Sequence, residues 1–174
     1  MIMSVSEVEN YFGLGNVDDE VITAKLLSIE MMIRQYTNNN FQSRNYRTYG
    51  NVKNCVIEAN TDLFRAGDTI EISRSLYNDG LYVIDSVENG QLKINGLFIP
   101  EEKVLVTKII YPADIKVGAV NLLKWDLENR DKVGIKSESI SRHSVTYFDM
   151  DANNLNGYPA SLLGFLKPYR KARF

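Results

Sequence analysis

Apolar residues near the start of the chain follow the period of an α-helix. Five of them stand at successive spacings of four, three, four and three, which predicts one buried stripe on a helix of about four to five turns. The residues of this stripe are Ile22, Leu26, Ile29, Ile33 and Tyr36. Leu27 and Met31 lie off the stripe, so we expect a second side of this helix to be covered as well. A shorter helix comes before it, because Ser4 and Glu7 have the spacing of a capping box.

The hydrophobic pattern changes to a period near two in the middle of the chain. Residues from about 51 to 110 predict short strands, separated by Asn78-Asp79-Gly80 and Glu88-Asn89-Gly90, which carry the Asp-Gly and Asn-Gly signals of hairpins. The predicted strands are residues 55–59, 69–73, 81–87, 91–95 and 103–109. Five strands in about sixty residues indicate a small, strongly bent sheet or barrel.

Helical periodicity returns after Pro112, a residue that suits the first turn of a helix. The apolar stripe of this helix is Ile115, Ala119, Leu122, Leu123 and Leu127. We expect it to pack on the stripe of the long helix. Residues 135–148 predict two extended polar arms, and Pro159 predicts the start of a last short helix that Pro168 stops.

These elements together predict an α+β fold. A small helical bundle of about four helices carries an inserted small β-sheet or barrel module and a polar β-hairpin arm. The first part of the helical domain is predicted at residues 1–50 and the inserted β-module at residues 51–110. The second part, residues 111–174, includes the arm and a basic C-terminal tail. Such insertions are tolerated where the two ends of the module lie close together.

The composition is typical of a globular protein with a packed core, since 44% of the 174 residues are hydrophobic and 24% are charged. A formal net charge of -2 gives no general attraction to nucleic acid or to an anionic membrane. We find no signal-peptide pattern at the start and no apolar run of the roughly 20 residues that cross a bilayer. The expected compartment is therefore the cytoplasm.

The charge is divided unevenly between the two ends of the chain. Residues 1–33 contain six acidic residues and a single lysine, whereas the tail has four cations and no acidic residue. The tail cations are Lys167, Arg170, Lys171 and Arg173, with Tyr169 and Phe174 among them. An acidic start and a basic end favour association with another copy of the chain or with a partner protein. Contact of the tail with DNA phosphates is the weaker alternative.

No set of residues assembles a catalytic, metal or cofactor site. His143 is the only histidine and stands in a polar stretch, so we interpret it as a surface or interface residue. The loop with Asp149 and Asp151 lacks the glycine and the distal glutamate of a calcium loop. The only cysteine, Cys55, is expected as a small buried core residue. The residues therefore predict no enzyme activity, no metal and no cofactor.

Two blocks of the sequence, at residues 4–41 and 111–171, carry a resemblance to a known family. The first contains Ser4-Val5-Ser6-Glu7-Val8-Glu9-Asn10-Tyr11-Phe12, Asp18-Asp19-Glu20, Ile29-Glu30-Met31-Met32-Ile33-Arg34-Gln35-Tyr36-Thr37 and Phe41. The second contains Tyr111-Pro112-Ala113-Asp114-Ile115-Lys116, Leu122-Leu123, Trp125, Lys136-Ser137-Glu138-Ser139, Ser144-Val145-Thr146-Tyr147 and Gly157-Tyr158-Pro159. In order and spacing they resemble the head–tail connector (adaptor, or head-completion) proteins of long-tailed bacteriophages and prophages. Gly67-Asp68-Thr69-Ile70 and Asn78-Asp79-Gly80-Leu81-Tyr82 are similar to an insert that a subset of the prophage proteins carries.

The resemblance implies a structural, non-enzymatic subunit of the virion, located at the head–tail junction. Connector subunits form a ring of about twelve copies between the portal protein and a stopper or tail-completion protein. The chain is then made in the cytoplasm of the bacterial host, can be a monomer in isolation, meets DNA only as it passes through the channel, and contacts no membrane. We expect partner contacts at the second side of the long helix, at the polar arms and at the basic tail. The contact residues of the arms and the tail are Ser137, Glu138, Ser139, Arg142, His143, Tyr147, Lys167, Tyr169, Arg170, Lys171 and Arg173.

Other functions remain open beside the connector. A stopper or another tail-completion subunit would have the β-module as its body and the helices as additions to it. A nucleic-acid-binding module would use the small barrel and the basic tail, and its binding would depend steeply on salt. An enzyme is the least expected class, because no nucleophile, base or metal set is assembled.

Overall fold

The structure is a computed structural model, which describes residues 1–13, 15, 17–96, 98–130, 137–140, 143–146 and 155–172, with the backbone alone for 137–140 and 143–146. The chain divides into two compact units. Asn40–Tyr111 form the first, which we call the barrel unit. Met1–Asn39 and Pro112–Phe174 form the second, which we call the helical unit.

The barrel unit is a closed antiparallel barrel of six strands. The strands are β1 Gln42–Lys53, β2 Val56–Ala59, β3 Thr69–Ser73, β4 Gly80–Glu88, β5 Gln91–Ile94 and β6 Glu101–Ile109. They follow one another around the barrel in the order β1, β2, β5, β4, β3 and β6, and β6 pairs again with β1. Closure gives every strand of the barrel a neighbour on each side.

The core of the barrel is built from residues that alternate along its strands and point inward. It consists of Val52, Ile57, Phe64, Ile70, Ile72, Ile84, Leu92, Ile94, Phe98, Val104 and Val106. Tight turns hold the strands in register, as at Asn89 and Gly90, whose φ angles of 50° and 76° fit the two central positions of a type I′ hairpin. The chain enters and leaves the barrel at neighbouring points, because the amide of Ile110 donates to the carbonyl oxygen of Phe41 at 3.0 Å.

The predicted fold class is wrong. The main regular structure is the closed six-stranded barrel with a few short helices, and not a helical bundle that carries a small β-module. The prediction missed β1 entirely, because Gln42–Lys53 lies before the first predicted strand, residues 55–59, which corresponds to β2. The first part of β1 is polar and largely exposed, so it lacks the alternation that reveals a strand. The five predicted strands are confirmed, each within about two residues of its bounds.

The predicted turn at Asn78-Asp79-Gly80 and the exposure of Cys55 also differ from expectation. Asn78-Asp79-Gly80 is not a two-residue hairpin turn, because Asn78 is buried in a longer loop and its side chain bonds the backbone of Ile99. The side-chain amide of Asn78 therefore holds together two loops, one before β4 and one before β6.

Cys55 is exposed rather than a core residue, and its thiol donates to the carbonyl oxygen of Gly96.

In its described residues the helical unit contains three α-helices, a 3-10 helix and a two-stranded hairpin. The α-helices are α1 Val5–Glu9, α2 Asp19–Thr37 and α3 Ala113–Asn129, the 3-10 helix is Ala160–Tyr169, and the hairpin strands are β7 Ser137–Ile140 and β8 His143–Thr146. The Ser4–Glu7 capping box is confirmed, with the Glu7 amide 3.2 Å from the Ser4 hydroxyl. Asp18 caps α2 at its start, and Asn38, with φ at 49°, ends it.

The two predicted helical stripes lie in the core of the helical unit. Ile22, Leu26, Ile29 and Ile33 of α2 are at most 1% exposed, and α2 packs against α3. On α3 the buried positions include Ile115, Ala119, Leu122 and Leu123, as the spacing predicted. Tyr36 and Leu127 are only half-buried. No helix in the described ranges is long and apolar enough to cross a membrane.

The end of the chain corrects another expectation. Pro168 does not stop the last helix, since the 3-10 helix runs through it to Tyr169. A 3-10 helix tolerates this proline because its hydrogen bonds are few and local. The residues that follow do not leave the body of the unit. The amide of Lys171 donates to the carbonyl oxygen of Thr37 at 2.8 Å, which returns the tail to the end of α2.

Candidate partner interface

One side of α2 is exposed along its whole length, and we call it the α2 face. Its residues recur at spacings of four, three, four, four and three, so they lie on one line of the helix surface. They are Glu20, Ala24, Leu27, Met31, Gln35 and Asn38. The α2 face lies opposite the buried stripe, and each of these six residues is exposed.

The centre of the α2 face is apolar. Leu27 is 50% exposed and Met31 is 62% exposed, and their spacing of four residues makes them neighbours on the helix surface. The expectation that this second side of the helix is covered is therefore wrong for the single chain. Exposed leucine and methionine side by side are typical of surfaces that a partner covers.

The N-terminal end of the α2 face is acidic. Asp19 and Glu20 stand in the first turn of α2, where the helix dipole favours negative charge. With Thr23, Ala24 and Leu27 they line a shallow depression of about 320 Å³. This end of the face therefore joins two carboxylates directly to the apolar centre.

The C-terminal end of the α2 face is basic, because the tail of the chain returns to it. A cleft of about 600 Å³ is lined by Met32, Gln35, Tyr36, Asn38, Leu155, Asn156, Arg170, Lys171 and Ala172. The Arg170 guanidinium lies over the Tyr36 ring, 5.2 Å from its centre. The Asn38 side chain donates to the carbonyl oxygen of Ala172 at 2.9 Å. Arg170 and Lys171 therefore lie at the end of α2, and hydrogen bonds from Asn38 and to Thr37 fix the backbone of this segment.

The 3-10 helix before the tail is held by α3. The Tyr169 hydroxyl donates to the carboxylate of Asp114 at 2.8 Å, and this hydrogen bond raises the pKa of Tyr169. The ring of Phe165 lies directly on Gly118, where a Cβ atom would come within 2.3 Å of it. Only glycine lets the 3-10 helix approach α3 so closely.

The C-terminal turn of α3 holds the chain at residues 155–158, which follow the hairpin in sequence. Asp126 is 4% exposed and pairs with both Lys25 and Arg130. Burial by itself raises the pKa of Asp126, but the hydrogen bonds from Lys25 and Arg130 outweigh it and lower the pKa. The Arg130 guanidinium also lies 5.0 Å from the ring centre of Tyr158, whose pKa is raised to about 12, mainly by burial.

The predicted contact residues fall in three groups. Ser137, Glu138, Ser139 and His143 lie on the paired strands β7 and β8, with Ile140 opposite His143. Lys167, Tyr169, Arg170 and Lys171 lie at the end of the 3-10 helix and in the tail. Arg142, Tyr147 and Arg173 lie outside the described residues.

The sequence pattern did indicate the apolar centre of the α2 face, since Leu27 and Met31 stand four residues apart and off the core stripe. This side of the helix was expected to be covered and was a candidate face for contacts between ring subunits. The pattern does not say which of the two covers it, because periodicity alone does not tell a surface buried within the chain from one buried by a partner.

The described residues contain no group of three or more His, Cys, Asp or Glu side chains that could hold a metal ion. The chemistry of the α2 face is that of non-covalent association, through carboxylates, apolar contacts and cations. No protein-family model matches the chain, and no curated protein matches it in sequence.

Proposed function

We propose that this chain is a ring subunit of a bacteriophage head–tail connector, located in the virion between the portal of the DNA-filled head and the stopper or tail. The observation that carries the proposal is the α2 face, an exposed helix surface that is acidic at one end, apolar in the middle and basic at the other. The resemblance to connector proteins supplies the kind of assembly, and its two blocks lie almost entirely in the helical unit.

A ring repeats one contact around a closed circle, so each subunit needs two different patches that fit each other. The acidic depression at Asp19 and Glu20 is one such patch, and the basic cleft at Arg170 and Lys171 is the other. Because they lie at different ends of the α2 face, a copy that joins one patch leaves the other free for the next copy. Opposite charges steer the contact, and burial of the apolar centre stabilises it.

The hairpin and the tail are assigned to the remaining contacts. The two-stranded sheet of β7 and β8 has an unpaired edge on each strand within the described residues. Such an edge accepts a strand from another protein, with backbone hydrogen bonds supplying affinity. We assign this hairpin, together with the exposed side chains of Lys167, Arg170 and Lys171, to the portal protein or the neighbouring subunit.

A second candidate function is favoured by the size of the barrel. A stopper or tail-completion subunit has a β-barrel as its body, and the barrel is the main regular structure of this chain. In that case the protein contacts run through the barrel unit. Leu76, which is 82% exposed on the loop between β3 and β4, is then the residue most open to a partner.

The two candidates are separated by native mass spectrometry of the full chain, alone and mixed with the portal protein of the same phage genome. We compare the wild type with a Leu27→Glu/Met31→Glu variant, which charges the centre of the α2 face. Leu76→Glu is the matched control, because it also charges an exposed apolar residue but in the barrel unit. All three side chains are exposed, so the variants are expected to fold normally.

The connector proposal predicts a ring on the portal for the wild type and for Leu76→Glu, and none for Leu27→Glu/Met31→Glu. The reverse pattern supports the stopper or tail-completion subunit. A wild-type chain that never binds portal, or that forms only a two-fold dimer through the α2 face, contradicts the connector.

A further inference from the structure

The strand β1 has a charge pattern unlike the rest of the barrel. Its residues Gln42–Lys53 include Arg44, Arg47 and Lys53 and no acidic residue. Two tyrosines stand among these cations and are exposed, Tyr46 by 38% and Tyr49 by 56%. A chain with a net charge of -2 therefore carries a local basic surface with aromatic rings in it.

A bulge in β1 explains why neighbouring residues are exposed there. The pairs Gln42–Ile109 and Arg47–Thr107 show that β1 advances five residues, 42 to 47, while β6 advances two, 109 to 107. The extra residues of β1 have no partners on β6, so the strand departs from strict alternation. Residues 44 to 47 are consequently all exposed, and the Lys108 ammonium lies 5.9 Å from the ring centre of Tyr46.

A third arginine joins this surface from the loop between β3 and β4. Arg74 has a φ of 62°, and its guanidinium donates to the Tyr49 hydroxyl at 2.8 Å. We call Arg44, Tyr46, Arg47, Tyr49 and Arg74 the β1 patch. Among the described residues no carboxylate forms an ion pair with any of its three arginines. The nearby carboxylate of Glu71 bonds the side-chain amides of Asn40 and Gln42 instead.

We propose that the β1 patch binds single-stranded nucleic acid, a role that goes beyond the proposed assembly function and does not depend on it. Arginines with no carboxylate partner are available to backbone phosphates, and binding releases the counterions that surround the strand. The exposed rings of Tyr46 and Tyr49 offer flat surfaces on which bases stack, whatever their sequence. Cations alternating with aromatic rings along one strand fit a single strand of about four nucleotides.

The same surface fits other anions less well. A DNA duplex keeps its bases inside the helix, so the tyrosines would add nothing to its binding. An acidic peptide would pair with the arginines, but it has no flat rings for the tyrosines to meet. Stacking on the tyrosine rings is therefore the interaction that should favour a single-stranded nucleic acid over a duplex and over an acidic peptide.

The test is fluorescence anisotropy of the full chain with a labelled oligo(dT) of about 12 nucleotides, at several salt concentrations. A duplex of the same length and a labelled poly-glutamate peptide are the comparison probes. The variants are Arg44→Ser/Arg47→Ser, which removes two cations of the β1 patch, and Tyr49→Leu, which removes a ring and keeps an apolar side chain. The matched control is Lys93→Ser/Lys124→Ser, which removes two exposed cations elsewhere.

We expect the wild type to bind the single strand more tightly than the duplex or the peptide, with affinity that falls as salt rises. Arg44→Ser/Arg47→Ser should weaken binding at least tenfold and lower the salt slope by about two. Tyr49→Leu should weaken binding of the single strand about tenfold and leave the salt slope unchanged. The control pair should bind like the wild type.

Three results overturn the proposal: no binding by the wild type, an equal loss in the control pair, or a duplex or peptide that binds as tightly as the single strand. Arg170→Ser/Lys171→Ser separates the β1 patch from the basic tail. If that variant loses binding and Arg44→Ser/Arg47→Ser keeps it, the site lies in the tail and the proposal is wrong. Thermal unfolding followed by circular dichroism verifies that each variant is folded.

Discussion

The two units of the chain differ in how their main regular elements are paired. In the barrel unit every strand has a neighbour on each side and eleven apolar side chains form one core, while exposed apolar residues such as Leu76, Tyr77 and Ile99 lie in its loops. In the helical unit the longest helix buries one stripe and leaves Leu27 and Met31 exposed on its other side. Neighbouring strands on both sides leave little free strand edge in the barrel, whereas the uncovered helix face offers adjacent apolar residues to a partner protein. This difference favours the helical unit for the proposed protein contacts, and the exposed loop residues of the barrel are the surface that the second candidate function would use.

The sharpest test of this comparison contrasts the two sides of α2. Ile29 is 1% exposed, so Ile29→Asp puts a carboxylate without a partner into the core of the helical unit. We expect a loss of about 4 kcal/mol in the free energy of unfolding, measured by urea denaturation. Met31→Asp makes the same chemical change on the α2 face, where Met31 is 62% exposed, and should change the stability by less than about 0.5 kcal/mol. Similar losses for both variants would show that the α2 face is buried within the single chain.

The barrel is tested by removing its largest fully buried side chain. Phe64 is completely buried in the barrel core, although it lies in the segment between β2 and β3 and not on a strand. Phe64→Ala leaves a cavity, and we expect a loss of about 3 kcal/mol in urea denaturation. Leu76→Ala is its control, because Leu76 is 82% exposed and should cost almost nothing. A negligible loss for Phe64→Ala would mean that the barrel core is not closed over this segment.

The close approach of the 3-10 helix to α3 predicts a smaller effect. In Gly118→Ala the new Cβ atom stands 2.3 Å from the Phe165 ring, so the 3-10 helix must shift. We expect a net loss of about 1 to 2 kcal/mol, since the higher helix propensity of alanine offsets part of the clash. Gly164→Ala is the matched control, because nothing lies within 4 Å of its Cβ position. A Gly118→Ala variant as stable as its control would show that the 3-10 helix is not packed on α3.

The parts of the fold that were predictable from sequence are those with a regular period. The stripes of α2 and α3 were found because four buried residues in each recur at helical spacing. The strands β2 to β6 were found from alternation and from turns such as Asn89-Gly90. The strand β1 was missed because the bulge in its first part exposes successive residues, which removes the alternation. Without that strand the barrel has no partner for one edge of β6, and its closure was not predictable.

The candidate interface was predicted only in part, for a similar reason. The basic residues Arg170 and Lys171 were selected by their charge alone, and their place at the end of α2 depends on hydrogen bonds between distant segments. The hydrogen bond from the Lys171 amide to the Thr37 carbonyl oxygen joins residues far apart in sequence, and no local sequence pattern predicts it. The apolar centre of the α2 face was visible as a pattern, but its exposure depends on what the rest of the chain covers.

The smallest predicted effect is a loss of stability at acidic pH. It depends on the ion pair between Asp126 of α3 and Lys25 of α2. The pKa of Asp126 is lowered below 3.8, its ordinary value, because the hydrogen bonds from Lys25 and Arg130 outweigh the effect of burial. A carboxylate whose pKa is lower in the folded state stabilises the fold above the unfolded value. That contribution is lost as the pH falls from about 3.8 through the folded pKa. In Asp126→Asn the titrating group is absent, so the variant should be less stable than the wild type near neutral pH.

The difference in melting temperature between the wild type and Asp126→Asn should therefore be a few degrees at pH 6, and it should shrink below pH 4. High salt should reduce it only slightly, because Asp126 is 4% exposed and its two pairs are poorly screened. Glu7→Gln is the matched control, since Glu7 also has a lowered pKa but stands largely exposed beside Lys116. A difference that stays constant from pH 6 to pH 3 would mean that the charge of Asp126 does not join α3 to α2. In that case α2 and α3 would be held together by packing alone, and the helical unit would resemble the barrel in depending on apolar contacts.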